Sequence, residues 1–265
     1  MTVADEEPAL LGLAPVAPDR TVAYGPHPDQ LVDLYVPRAG GGSPAPGPLV
    51  VLLHGGFWRA AYDRRHLSPL AAELAGRGLP VALAEYRRVG AGGGVPQTFE
   101  DVTAGIEAAC AALSGAVADP SPVLVGHSAG GHLALLAAAR PDTPVTRVLA
   151  VSPVADLARA HALGLSDGAV GELLGAGPGF PERLAAADPA RHPPAGVPVT
   201  ILHGTDDPDV PLDLSRRYAA VSPATTVLRE LPGVGHYAPV TPGTPSCDAL
   251  VALLRPPGGS AAVTR

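Results

Sequence analysis

The chain has no lysine: all 18 of its basic residues are arginine, and 265 residues include only two cysteines, one methionine, one tryptophan and three phenylalanines. Each scarcity excludes something. Two cysteines, Cys110 and Cys247, are too few for a disulfide framework or a cysteine-ligated zinc site. The glycine run at residues 90–94 follows an apolar segment but lacks the lysine and the spacing of a phosphate-cradling loop, so no organic cofactor is expected. Nine histidines are present, yet none falls in an H-E-x-x-H or comparable ligand spacing, and no metal is expected. The formal net charge of −7 comes without a basic stripe, which argues against a nucleic-acid partner. No apolar run approaches the roughly 18 residues of a membrane span. The opening Met1-Thr-Val-Ala-Asp5-Glu6-Glu7 is acidic where a secretory leader would be basic. The expectation is a soluble, cytoplasmic protein with no membrane partner.

What is present is an apolar content of 46% and a charged content of 16%, a globular balance that suits one α/β domain over residues 20–255. Residues 1–19 read as an N-terminal extension and 256–265 as a disordered tail. Strands are expected at 20–24 and 31–36, the second alternating Val32, Leu34 and Val36 with Asp33 and Tyr35, as an edge hairpin with one wet face would. A flexible connection at 40–48 leads into a buried strand at 49–53. Helix 66–77, strand 79–86, helix 97–113, strand 122–126, helix 130–139, strand 147–152, strand 197–203, helix 211–221, strand 225–231 and helix 246–254 follow. That alternation predicts a mostly parallel central sheet flanked by helices. The segment 156–195 interrupts it, is too long for an ordinary connection, and reads as a small cap over an active site.

Gly126-His127-Ser128-Ala129-Gly130 stands between the apolar run Pro122-Val-Leu-Val125 and a helical stretch, so Ser128 lies where a strand turns sharply into a helix. Glycines two before and two after keep side chains out of the crowded turn that exposes the serine. A serine hydroxyl needs a base and an acid to orient that base. After strand 197–203 come Asp206, Asp207 and Asp209, and after strand 225–231 comes His236, all on the sheet edge that carries Ser128. His27, His66, His161 and His192 fall in loops or helices, and His127 and His132 flank the turn, so His236, just past a strand, faces less competition as the base. The order serine, aspartate, histidine is that of the α/β-hydrolase fold. The expected oxyanion donors are the N–H of Ala129 and that of Gly56 or Phe57, in the loop after strand 49–53.

The spacing His203-Gly-Thr-x-Asp207 followed by Pro208-x-Val-Pro211 resembles the acid loop of many such hydrolases, which implies Asp207 as the acid. Asp206 is the alternative, and Asp209 is expected to cap the helix that begins near Pro211. His54-Gly55-Gly56-Phe57-Trp58 is similar to the H-G-G-x-W motif of kynurenine formamidases (arylformamidases), and Gly126-His-Ser-Ala-Gly-Gly-His132 looks like the elbow of that group and of related esterases. After Tyr86-Arg87 that family usually has a proline-containing loop, where this chain has Arg88-Val-Gly-Ala-Gly-Gly-Gly94. The resemblance covers about residues 20 to 254. It implies hydrolysis of the formamide of N-formylkynurenine to kynurenine and formate, through a formylated Ser128. Trp58 and Tyr237 would then line the substrate pocket. A short-chain carboxylesterase, and a non-catalytic hydrolase-fold binding protein, are the alternatives. The expected partner is a small-molecule ester or formamide, with a homodimer left open.

Overall fold

Val50, Val51, Leu52 and Leu53 are all apolar, so a strand made of them needs a covered face on each side. In the computed structural model, which describes residues 1–37, 47–115, 117 and 121–254, that is how the chain is built. In chain order the elements are helix α1 (Val3–Leu11), strands β1 (Arg20–Ala23), β2 (Leu31–Tyr35) and β3 (Val50–Leu53), helix α2 (Ser68–Gly76), β4 (Val81–Ala84), α3 (Gln97–Leu113), β5 (Val123–His127), α4 (Ala129–Ala138) and β6 (Arg147–Val151). Three helices follow, α5 (Leu157–Ala162), α6 (Leu165–Leu174) and α7 (Phe180–Ala187). Then come β7 (Val199–Gly204), α8 (Asp213–Val221), β8 (Thr226–Leu231) and α9 (Pro245–Leu254). The expected tail at 256–265, and all but the last two residues of the connection at 40–48, lie outside the described residues.

The eight strands form one sheet in the order β1-β2-β4-β3-β5-β6-β7-β8. β2 runs antiparallel to both neighbours and the other pairings are parallel. Val51 and Leu53 join one apolar core with Leu133 of α4, Ile106 of α3 and Tyr218 of α8. Val50 and Leu52 join the other with Leu74 of α2 and Leu250 of α9. From β3 the chain first moves to β4 on one side and later returns to β5 on the other. The carboxyl ends of β3 and β5, paired Leu53 to Gly126, therefore border the crevice where open α/β sheets hold their sites.

Residues 1–19, read as an extension, contain α1. Asp5 accepts hydrogen bonds from the Thr2 N–H at 3.0 Å and hydroxyl at 2.6 Å, which satisfies the helix start. Leu10 is buried in the second core. No helix among the described residues is long and apolar enough to cross a membrane.

Leu52 is fully buried between α2 and α9. Leu52→Ala should lower unfolding free energy by about 2–5 kcal/mol, read from the urea midpoint at unchanged m-value.

Candidate active site

Ser128 sits at φ 56°, ψ −118°, between the end of β5 and the first residue of α4, a left-handed conformation that costs a non-glycine residue strain and is held by its surroundings. Its N–H donates to the Val151 carbonyl at 2.9 Å, and its carbonyl accepts the N–H groups of Gly131, at 2.9 Å, and His132, at 3.2 Å. The two flanking glycines are sterically required. A Cβ on Gly130 would lie 2.2 Å from the Leu53 carbonyl oxygen, and one on Gly126 2.3 Å from that of Gly130.

The loop after β3 is turned by consecutive left-handed residues, Phe57 at φ 46° and Trp58 at φ 59°. Its entrance is pinned by His54, whose ring lies 2.8 Å from Glu85 and 2.8 Å from the Gly55 carbonyl, stacked 4.5 Å from Tyr86. Burial works to raise the Glu85 pKa, but His54, Arg88 and the Arg64 N–H hold it down to about 2. Its exit pairs with the glycine-rich segment, Val89 donating to the Trp58 carbonyl at 2.8 Å. The segment that departs from the formamidase pattern thus braces this loop from behind. Among the described residues the N–H groups of Gly56, Phe57 and Ala129 meet no protein acceptor, which leaves them available to an oxyanion.

His236 is held from below by Asp207, Nδ1 to Oδ2 at 2.7 Å, with the Asp207 side chain fully buried. The other Asp207 oxygen accepts the Asp209 and Val210 N–H groups, each at 2.9 Å. Burial opposes its ionisation, but the hydrogen bonds from His203 and His236 prevail and keep it far below the usual carboxylate range. Asp207 can therefore hold the imidazole in one orientation as an anion. Asp206 is exposed and accepts the Thr205 hydroxyl, away from the histidine. Ligand atoms of Asp207, Asp209 and His236 lie within 4.8 Å of one another. The Asp207 oxygens are already taken by His236 and backbone donors, so the trio is an acid–base pair with a neighbour and a poor cage for an ion.

Ser128, His236, Gly56, Phe57 and Tyr237 line one cavity of about 220 Å³, together with Asp209, Tyr62 and Ser166. It is smaller than the roughly 300–1,000 Å³ of drug-sized ligand sites. α5, α6 and α7 make up the segment read as a cap, and Ser166, left-handed at φ 49°, brings it to the cavity wall. Arg59, the residue after Trp58, ties that segment to the loop: it donates to Glu172 at 2.7 and 3.0 Å and to the Ser166 hydroxyl and carbonyl at 2.9 and 2.7 Å.

Two expectations need correction. Trp58 is 1% exposed and packs in the core with its ring 5.1 Å from that of His132; the left-handed turn at Phe57 and Trp58 leaves Phe57 on the cavity and sends the indole inward. Asp209 does not cap α8, whose N-cap position is Leu212 without a side-chain cap, and faces the cavity instead. Two residues with no role expected are Glu6, described below, and His127, whose Nε2 donates to the His236 carbonyl at 3.1 Å with its ring 4.6 Å away. The signal for His127 was its position beside the serine; nothing in the sequence marked its partner.

The BD-FAE family profile matches residues 32–221. A probable isoprenylcysteine alpha-carbonyl methylesterase of rice, Oryza sativa subsp. japonica, is 28% identical over 225 residues, covering 76% of this chain and 53% of that protein; the chain thus spans about half the length of that relative. An uncharacterized protein of Mycobacterium tuberculosis is 34% identical over 208 residues, 77% of this chain and 67% of its own length. The solved structure of esterase B from Lactobacillus rhamnosis, inhibited by a tributyrin phosphonate, superposes with a TM-score of 0.74 at 20% identity, covering 95% of this chain and 89% of that one.

His132 is buried and His66 half-buried, and desolvation pushes both down to about 4 from 6.5. The unfolded chain takes these protons near pH 6.5, whereas the folded one resists them to about 4. The stability this neutrality gives is therefore present above 6.5 and lost as pH falls towards 4. The melting temperature should drop across that window, and more shallowly in His132→Gln, which retains a donor for the Ala187 carbonyl that His132 now meets at 2.9 Å.

Proposed function

The chain belongs to the BD-FAE family, on the α/β-hydrolase fold, and from that premise we propose that it is a serine esterase that cleaves small acyl esters through an acyl-enzyme. The observation that carries this reading is the convergence on one small cavity of a strained serine, a histidine held by a buried carboxylate, and free backbone N–H groups. In the first half-reaction Ser128 Oγ attacks the ester carbonyl carbon as His236 Nε2 takes its proton. The carbonyl oxygen, now an anion, lies between the N–H of Ala129 and that of Gly56 or Phe57. The intermediate expels the alcohol, which receives the proton from His236, and leaves the acyl group on Ser128. Water then attacks the acyl carbon, gives its proton to His236, and the acid departs as Ser128 recovers its own.

Asp207 stays ionised throughout and stabilises the imidazolium. The names of the rice relative, a methylesterase, and of the Lactobacillus esterase support ester chemistry. A second, narrower reading is an aryl formamide such as N-formylkynurenine, supported by the His54-Gly-Gly-Phe-Trp58 motif and by a cavity suited to a small acyl group. The inward placement of Trp58 removes the indole from leaving-group recognition and leaves Phe57 and Tyr237 to provide it.

Two measurements test this. kcat/KM is measured on p-nitrophenyl acetate and butyrate beside N-formylkynurenine: ester values well above the formamide value are expected, and the reverse order would select the formamidase reading. Ser128→Ala should lower kcat by about 10⁶-fold with the fold retained by circular dichroism, and activity surviving that change would remove Ser128 from the mechanism. Asp207→Asn should cost about 10⁴-fold, whereas Asp206→Asn should change kcat little, and the opposite ranking would move the acid by one position.

A further inference from the structure

Glu6 belongs to the first helix, far along the chain from the histidine loop, yet it is 3% exposed. Among the described residues no cation reaches its carboxylate. Oε1 accepts the Gly235 N–H at 2.8 Å, and Oε2 accepts the N–H groups of Tyr237 at 3.0 Å and Ala238 at 2.9 Å. These donors flank His236 on both sides, so of the run 235–238 only the N–H of His236 itself is free of Glu6. Gly235 is fitted to this contact: a Cβ there would lie 2.8 Å from Glu6 Oε2 and 2.8 Å from Val3.

Burying a carboxylate is costly unless hydrogen bonds replace its water, and three convergent amides make a concavity suited to an anion. Docking α1 does not require that arrangement, since Leu10 already fixes the helix in the second core. Resting on the esterase reading above, we propose that Glu6 is a positioning residue for the catalytic base: it fixes the backbone on either side of His236, so that an imidazole already oriented by Asp207 also sits at the correct place against Ser128. The grip is completed by His127, which donates to the His236 carbonyl. The histidine is thus held at its ring, its carbonyl and its neighbouring amides, by residues from three distant parts of the chain. The same helix brings Glu7 and Leu11 to the cavity wall, so docking α1 both seats the base and closes one side of the substrate site.

The test uses Glu6→Gln, which has the same shape but must turn an NH₂ group towards at least one backbone N–H, and Glu6→Ala with and without added formate. kcat is expressed per site titrated by a fluorophosphonate, so loss of folded protein alone leaves it unchanged. In Glu6→Gln, kcat on p-nitrophenyl butyrate should fall by about 10- to 100-fold, as expected for a misplaced catalytic group. KM should change by less than about threefold, and the rate of Ser128 phosphonylation should fall with kcat. In Glu6→Ala, formate should raise kcat per site to a plateau, and chloride at equal ionic strength should not. A kcat per titrated site unchanged in both variants, with only the melting temperature lowered, would overturn the proposal and reduce Glu6 to a docking contact. Wild-type protein that neither hydrolyses the ester nor labels at Ser128 would instead overturn the esterase reading.

Discussion

The approach of the Gly130 backbone to the Leu53 carbonyl is the contact on which the rest of the site depends. It sets the first turn of α4 directly against the end of β3, closer than any side chain would allow. The loop that follows β3 and the serine that precedes α4 are thereby brought together at the point where strand order reverses. Parallel pairing of β3 with β5 supplies the alignment, and the absent side chains supply the clearance. The strain at Ser128 is then sustained by hydrogen bonds to β6 and α4 rather than by any local preference.

Around that contact, buried carboxylates act as fixings for the loops that meet there. Glu85 holds His54 and the entrance to the loop after β3, Asp207 holds the imidazole of His236, and Glu6 holds the amides beside it. All three accept backbone N–H groups; Glu85 adds a histidine with arginines nearby, Asp207 adds two histidines, and Glu6 has backbone donors alone. The common physics is that a desolvated anion surrounded by fixed donors permits little rotation, because every alternative orientation leaves a charge unpaired. Precision at the reacting atoms is thus obtained from charge placed behind them rather than from the reacting groups themselves.

Much of this was legible in the sequence because it is local or ordered along the chain. The apolar run, the glycine-spaced turn and the following helix identify Ser128 without any tertiary knowledge, and α3 has the expected bounds because its apolar positions recur at helical spacing. The choice of Asp207 came from the resemblance of His203-Gly-Thr-x-Asp207-Pro208 to the acid loop of many hydrolases. What escaped was set by contacts with no local trace. α1 is short and has proline at position 8, and the partners of Glu6 are backbone amides, which no side-chain pattern announces. The inward turn of Trp58 depends on two successive left-handed residues where side-chain identity would suggest neither. Asp209 has the residue type and position of a helix cap, but α8 begins farther on, and the space beside His236 takes its side chain instead.

The tie made by Arg59 has a further consequence. One guanidinium joins the turn after β3 to Ser166 and Glu172 of α6, so two walls of the cavity do not vary independently. Exchange of residues 157–187 for those of a relative would strip Arg59 of its acceptors unless the graft carried equivalents. The freed cation would stand at the cavity wall with its charge unpaired. Diversification of this scaffold should therefore proceed by paired change at position 59 and in α6, a constraint on its evolutionary paths written into a single side chain.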